Sequence, residues 1–217
     1  MRTTFHKKLR EIQDDVLAMG SMVEKANSRS IEALKGRDLD TARSVISDDP
    51  KINRKRFEVE EKCIQIIATQ QPMAGDLRAI ICVLNVITEM ERIADHAQGI
   101  AKIVLMIGDE PPLKPLIDIP RMADKVNDML RRSLDAFISR NADAARQITA
   151  EDDEVDDLYN QVFRELLSFM IEDPRTITRA TRLIWVAHNL ERSADRVTNI
   201  CERVIYLVTG KMEEIDA

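Results

Sequence analysis

Apolar residues recur along this chain at steps of three and four, the spacing that lines one side of a helix. Two stretches carry the pattern without a break. Val83, Ile87, Met90, Ala94, Ala97, Ala101 and Val104 form one seam, and Leu183, Ala187, Leu190, Ala194, Val197, Cys201, Val204 and Val208 form the other. Seams of this kind bury against neighbouring helices at a shallow crossing angle, and the alanines at their centres permit close approach. Read with the helix-breaking residues, the pattern predicts six helices, over about 4–36, 38–70, 73–107, 120–139, 141–172 and 174–209. Gly36 is a natural stop, Asp38 and Asn141 are natural caps for the helices that follow, and Asp173 before Pro174 marks a further start. Pro50 lacks an amide hydrogen and is expected to kink or split the second helix, with Asp48 or Asp49 as a new cap.

The segment IGDEPPLKPLIDIP, residues 107–120, holds four of the seven prolines and divides the chain into two halves of similar size. Those halves repeat. SIEALKGRDLDTARSVISDD, from Ser30, aligns with SLDAFISRNADAARQITAED, from Ser133, so that Ala33, Arg37, Asp40 and Arg43 meet Ala136, Arg140, Asp143 and Arg146. Further along, ERIAD at Glu91–Asp95 meets ERSAD at Glu191–Asp195. An internal repeat sets the architecture before any other signal. The expected fold is all-α: two tandem antiparallel three-helix bundles, residues 1–107 and 120–217, joined by a proline-rich linker at 108–119. The pattern allows the bundles to lie end to end or side by side.

Composition narrows the function classes. In 217 residues there are 6 glycines, 7 prolines and 4% aromatics, against 32% charged residues, which suits helices. A net charge of −6 argues against a general nucleic-acid binder, which needs excess Lys and Arg to displace phosphate counterions. Cys63, Cys82 and Cys201 are too few and scattered for a disulfide framework and read as small core residues in a reducing compartment. The opening MRTTFHKKLREIQDD has no apolar core of a signal peptide, and no apolar run approaches the roughly 18–20 residues of a membrane span. These features predict a soluble, cytoplasmic protein.

The repeated acids raise the question of chemistry. Two acids four positions apart on a helix repel by roughly 0.2–0.5 kcal/mol, and here that cost is incurred twice, at matched places. In the second half the stripe extends: His188, Glu191, Asp195, Asn199 and Glu202 share one helical face. Carboxylates and an imidazole in a row can ligate or bridge divalent cations. The first half is thinner, with Thr88, Glu91, Asp95, Gly99 and Lys102 on the matching face and His96 one position round, so the second half carries the better ligand set. Two other readings stay open. Arg92 and Arg192 stand three residues before Asp95 and Asp195 and could make ordinary helix salt bridges. Alternatively, the acids could form a protein-docking surface. A weaker acid pair lies earlier, where Asp49 and Asn53 match Asp152 and Asp156; a solvated helix start is the plainer reading of that segment. Arg175, Arg179 and Arg182 form a basic stripe that reads more naturally as a solvated face than as an anion site.

Enzymatic readings find little support. The chain contains neither G-x-x-x-x-G-K-[ST] nor G-x-G-x-x-G, and it lacks the E-x-x-H signature of di-iron bundles. Three histidines (His6, His96, His188) with no Ser or Cys at a nucleophile elbow give no triad. The residues indicate a non-enzyme.

The repeated ERIAD and ERSAD, with MGSMVE near the start, QQPMAGDLRAI before the third helix and MIEDPRTI before the sixth, resemble the PhoU family of bacterial phosphate-uptake regulators, over about Phe5 to Gly210. The order, spacing and duplication of these motifs carry the resemblance. It implies two three-helix bundles with an acid-x-x-x-Asp motif in each, matched here by Glu91/Asp95 and Glu191/Asp195. It further implies iron, zinc, manganese or magnesium at these acids; the helical stripe adds His188, Asn199 and Glu202, and the repeat register Asp49, Asp152 and Asp156, as candidate co-ligands. Asn53 and Gly99 stand where the second repeat has Asp156 and Asn199, a departure that thins the first cluster. The implied activity is regulatory: an adaptor, able to dimerise, that restrains the phosphate ABC transporter through its ATPase subunit. It would also help the membrane sensor histidine kinase to silence the starvation response when phosphate is plentiful. A paralogue's role in another stress or metal-homeostasis pathway, or a metal-cluster enzyme, are the alternatives.

Overall fold

A computed structural model describes residues 2–212, with side chains from Phe5 onward. The described residues form seven α-helices and no strand: α1 (Arg2–Gly36), α2 (Leu39–Gln70), α3 (Gly75–Ile107), α4 (Asp118–Ser139), α5 (Ala142–Thr149), α6 (Asp152–Glu172) and α7 (Ile177–Thr209). A single 3₁₀ turn, Pro174–Thr176, precedes α7. Each half is a three-layer bundle, α1–α2–α3 and α4–(α5, α6)–α7.

The repeat extends to the details of capping. Asp38 accepts hydrogen bonds from the backbone N–H of Asp40 (3.0 Å) and Thr41 (2.9 Å), and Asn141 accepts one from Ala144 (3.0 Å). Gly36 ends α1, but the left-handed residue that turns the chain is Arg37 (φ 53), matched by Arg140 (φ 54) in the second half. Each turn closes with an N–H reaching back five residues, from Asp38 to Ala33 and from Asn141 to Ala136 (2.9 Å each). In α1 the core-facing stripe is Phe5, Leu9, Ile12, Val16, Met19 and Val23, all buried.

The expected break at Pro50 does not occur. Pro50 lies inside an uninterrupted α2, and neither Asp48 nor Asp49 caps a new helix. Val45 and Ile52, buried on either side, hold the turn in register although the Ile46 carbonyl loses its partner. The second half breaks instead. Between α5 and α6 the ladder tightens to three-residue bonds, Glu151 N–H to Ile148 O (3.0 Å) and Glu154 N–H to Glu151 O (3.2 Å). The residue at that break, Glu151, is held from α4 by Arg132 and Lys125.

The bundles lie side by side, not end to end, and share one continuous hydrophobic core. The two seams pair antiparallel. Cys82 near the start of α3 donates to the Arg203 carbonyl near the end of α7 (3.5 Å), whereas His96 in the second half of α3 meets Asn189 early in α7 (3.2 Å). An approximate two-fold axis therefore relates the halves, and all residues of both seams are buried except Val208, which is 43% exposed. Across the same axis α1 crosses α4 so closely that a Cβ on Gly20 would stand 2.3 Å from Leu134 Cδ1. The linker is tied down rather than loose. Glu110 pairs with Arg182 (3.4 Å) and Arg179 (3.8 Å), Arg179 donates to the Pro111 carbonyl (3.2 Å), and Lys114 pairs with Glu165. Two of the three arginines expected on a solvated face thus anchor the linker, and Arg175 pairs with Asp173 (2.9 Å).

Candidate cation centres on the paired acids

The seam of α7 buries Leu190 and Ala194, which turns Glu191 and Asp195 toward the groove with α6. There they meet Asp152 and Asp156, one turn apart at the start of α6. Asp152 is only 3% exposed. Burial, then repulsion from Asp195, Asp156 and Glu191, lifts its pKa from an ordinary 3.8 to about 7. Burial and Asp195 also raise Asp156 and Glu191, although His188 and Arg192 pull Glu191 back. The Asp152 Oδ1 atom is buried without a hydrogen-bond donor, and Glu191 Oε2 has only the His188 ring nearby. Four carboxylates so placed repel one another, and their side-chain counter-charges reach only the α7 pair, Arg192 at Asp195 and His188 at Glu191.

The pseudo-two-fold places a second, weaker group between α2 and α3, from Asp49, Glu91 and Asp95. Burial followed by Asp95 raises both Asp49 and Glu91, with Lys102 opposing at Asp49 and Arg56 at Glu91. Asn53 stands where the second half has Asp156, and its Nδ2 donates to Asp49 Oδ2 (3.1 Å). An amide therefore neutralises part of the first group that remains unrelieved in the second.

Not every expected ligand joins these groups. Asn199 turns away from Asp195 and donates to Glu89 Oε2 on α3 (3.2 Å), so it is a rivet between the halves and not a co-ligand of the acids. Glu202 lies seven positions beyond Asp195, roughly 10 Å along the axis, outside the group of four. His188 is more than half exposed and approaches Glu191 Oε2 with Nδ1 at 3.2 Å, its ring leaning on Tyr159. The salt-bridge reading holds in one half only. Arg192 pairs with Asp195 (2.7 Å), whereas Arg92 turns to Glu89 (3.6 Å). Among the described residues no three His, Cys, Asp or Glu side chains converge as a ready-made cation site. The donor chemistry of the second group nevertheless fits a hard cation: oxygen donors, of which the buried Asp152 Oδ1 has no hydrogen-bond partner. Asp152, Asp156, Glu191 and Asp195 would hold it, with His188 at the edge.

Sequence reading alone overlooked the polar centre of the α3–α7 interface. Glu89, 15% exposed, receives Arg196 (3.5 Å) and Asn199, while the pseudo-symmetric place holds His96 against Asn189. The repeat register contained that signal, since it matches Glu89 with Asn189 and His96 with Arg196. Burial, above all, lowers the pKa of His96. Gly99 leaves room for this contact, because a Cβ would come 3.0 Å from Asn189 Oδ1 and the amide would have to shift.

Comparison with known proteins follows the same division. A family model described as the PhoU domain matches residues 16–104 and again 119–204, once in each half. The phosphate-specific transport system accessory protein PhoU homolog of Clostridium acetobutylicum is 40% identical over 216 residues, covering 99% of both chains. The homolog of Aquifex aeolicus is 38% identical over 206 residues, covering 95% of this chain and 93% of its own. The crystal structure of PhoU from Pseudomonas aeruginosa superposes with a TM-score of 0.90 at 36% identity, over 95% of this chain and all of that one. The phosphate transport system regulatory protein PhoU from Streptococcus pneumoniae gives 0.90 at 30% identity, over 97% of this chain and all of that one. Among the described residues no helix is long and apolar enough to cross a membrane.

Proposed function

The chain belongs to the PhoU family, and on that premise we propose that it is a non-enzymatic, cytoplasmic adaptor that restrains phosphate uptake and starvation signalling when phosphate is plentiful. The observation that carries the reading is the family match across both halves, with relatives named as accessory proteins of the phosphate-specific transport system. The partners are the ATPase subunit of the phosphate ABC transporter and the cytoplasmic part of the sensor histidine kinase. An adaptor needs exposed apolar anchors, and the outer helices carry them: Phe57 and Ile64 on α2, and Phe163, Leu167 and Ile171 on α6, each at least 40% exposed. The two-fold arrangement puts them on related faces, which suits bridging, and a second copy of the chain is a further partner.

Within this reading the second acid group holds a cation that fixes α6 against α7. Its all-oxygen donors favour manganese, magnesium or iron over zinc, which prefers nitrogen and sulfur. A bound cation would supply positive charge among Asp152, Asp156, Glu191 and Asp195. The residues themselves orient the two helices and keep water from the buried oxygens.

The test is alkaline phosphatase output in phosphate-rich cells lacking the protein, complemented with wild type or with a Glu91/Asp95/Glu191/Asp195→Ala variant. Derepression without the protein and its reversal by wild type are expected; unchanged output on deletion would overturn the regulatory reading. Elemental mass spectrometry of both proteins, purified without chelator or His tag, tests the cation separately. Metal present in wild type and missing from the variant is the expected result, and equal, negligible metal in both would refute it.

A further inference from the structure

A cavity of about 200 Å³ opens between α1, α2 and α3 of the first half. Met22, Val45 and Ile52 supply its apolar floor, and Lys25, Arg29 and Lys51 its rim. Its volume accommodates roughly six or seven water-sized groups, at about 30 Å³ each. Asp48 on the wall already receives Arg29 Nη1 (2.8 Å) and Lys51 Nζ (2.7 Å). Lys25 has no ion-pair partner among the described residues.

The repeat supplies an internal comparison, because every position here has a counterpart in the second half. Arg29, Asp48 and Asp49 correspond to Arg132, Glu151 and Asp152, and the central pairing is kept: Arg132 Nη2 meets Glu151 Oε1 at 2.6 Å. Three positions differ in charge. Met22, Lys25 and Lys51 stand where the second half has Lys125, Asp128 and Glu154. There Lys125 reaches across from α4 and places its ammonium on Glu151 (2.7 Å) and Glu154 (2.9 Å), so a butylammonium arm of the chain itself crosses the space. Asp128 completes the neutralisation by accepting from Arg131 and Arg132. In the first half the second cation on the central carboxylate comes from Lys51, on the outer rim of α2. The groove that Lys125 crosses is left open at Met22, and two acids become lysines.

We propose that this cavity is a binding site for a small anion bearing a short apolar arm. The arm lies over Met22, Val45 and Ile52, and the anionic head, phosphoryl or carboxylate, bridges Lys25 and Lys51. The charge exchange decides the sign of the ligand. The second-half site is rich in acid and filled by its own cation, whereas the first-half cavity carries three cations, Lys25, Arg29 and Lys51, against two carboxylates, Asp48, which is already paired, and the largely buried Asp49. Asp49 of the first acid group also lines the cavity, but the proposal rests on neither the cation nor the partner reading above.

The test is a titration of the full-length protein, labelled in its Met, Ile and Val methyl groups, with butyl phosphate, butanoate and butylammonium, followed by NMR. Saturable shifts at Ile52 and Val45 with one or both anions, and none with butylammonium, are expected; the two anions distinguish a phosphoryl from a carboxylate ligand. A Lys25→Gln/Lys51→Gln variant, altered only at the rim, should bind at least ten-fold more weakly. A Met22→Lys/Lys25→Asp/Lys51→Glu variant, which installs the second-half arrangement, should lose the shifts. Shifts equal for butylammonium and the anions, no saturable shift with either anion, or undiminished binding by the Gln variant would each overturn the proposal.

Discussion

Replacing Asp152 with asparagine isolates the cost of crowding four carboxylates between α6 and α7. An unfolded aspartate releases its proton near 3.8, whereas folded Asp152 keeps it to about 7. Between those values the folded chain binds more protons than the unfolded one, so stability falls as pH rises through the window. The difference of 3.2 units corresponds to a ceiling of about 4 kcal/mol at roughly 1.36 kcal/mol per unit, complete above pH 7. At pH 5 about a third of it is already present. Solvent screening and side-chain relaxation reduce these figures, so with a chelator present Asp152→Asn should gain about 1–2 kcal/mol more over wild type at pH 8 than at pH 5. Urea unfolding followed by circular dichroism at both pH values reads the difference. Manganese added at pH 8 should then stabilise wild type and leave the variant much less affected, because the cation relieves the same repulsion. A variant whose gain is identical at both pH values, or a wild type more stable than the variant at pH 8 without metal, would refute the argument.

Three further outcomes follow from the packing. Glu151→Gln removes the carboxylate shared by Arg132 and Lys125; the Arg132 hydrogen bond first, then Lys125, holds that acid below its usual pKa against the effect of burial. The variant should lose about 1–3 kcal/mol at pH 7. That loss should disappear as pH falls through the acid range, because a depressed acid stabilises only while ionised. Gly20→Ala should destabilise despite a helix-propensity gain of about 1 kcal/mol, since its Cβ would stand 2.3 Å from buried Leu134 Cδ1. Overpacking of that kind costs about 1–3 kcal/mol, and a melt with no loss in Tm would sink the close-crossing argument. Burial pushes the thiols of Cys63, Cys82 and Cys201 up to about 12, 11 and 12. All three should resist maleimide in the native protein and react together in urea, and rapid labelling of any one before unfolding would contradict its burial.

Helix content, the capping residues, the duplicated halves and the buried faces of α3 and α7 all follow from the chain read as a string. Apolar spacing, short capping motifs and internal alignment are local or repetitive signals, and each is written in consecutive residues. The paired acids were legible for the same reason, as two five-residue words at a constant offset. Side-by-side packing, by contrast, came from the match of two long seams across a two-fold axis, which no single segment encodes. Pro50 stayed within its helix because buried Val45 and Ile52 outweigh one lost hydrogen bond, while the break fell at Glu151, drawn to cations on another helix. Tertiary structure also decided which acids act together. Helical periodicity placed Asn199 and Asp195 on one face, but a partner across the interface, Glu89, turned Asn199 away, and the crossing of α6 over α7 brought in Asp152 and Asp156. Electrostatic energy depends on distances between helices, and the sequence of one helix carries none of those.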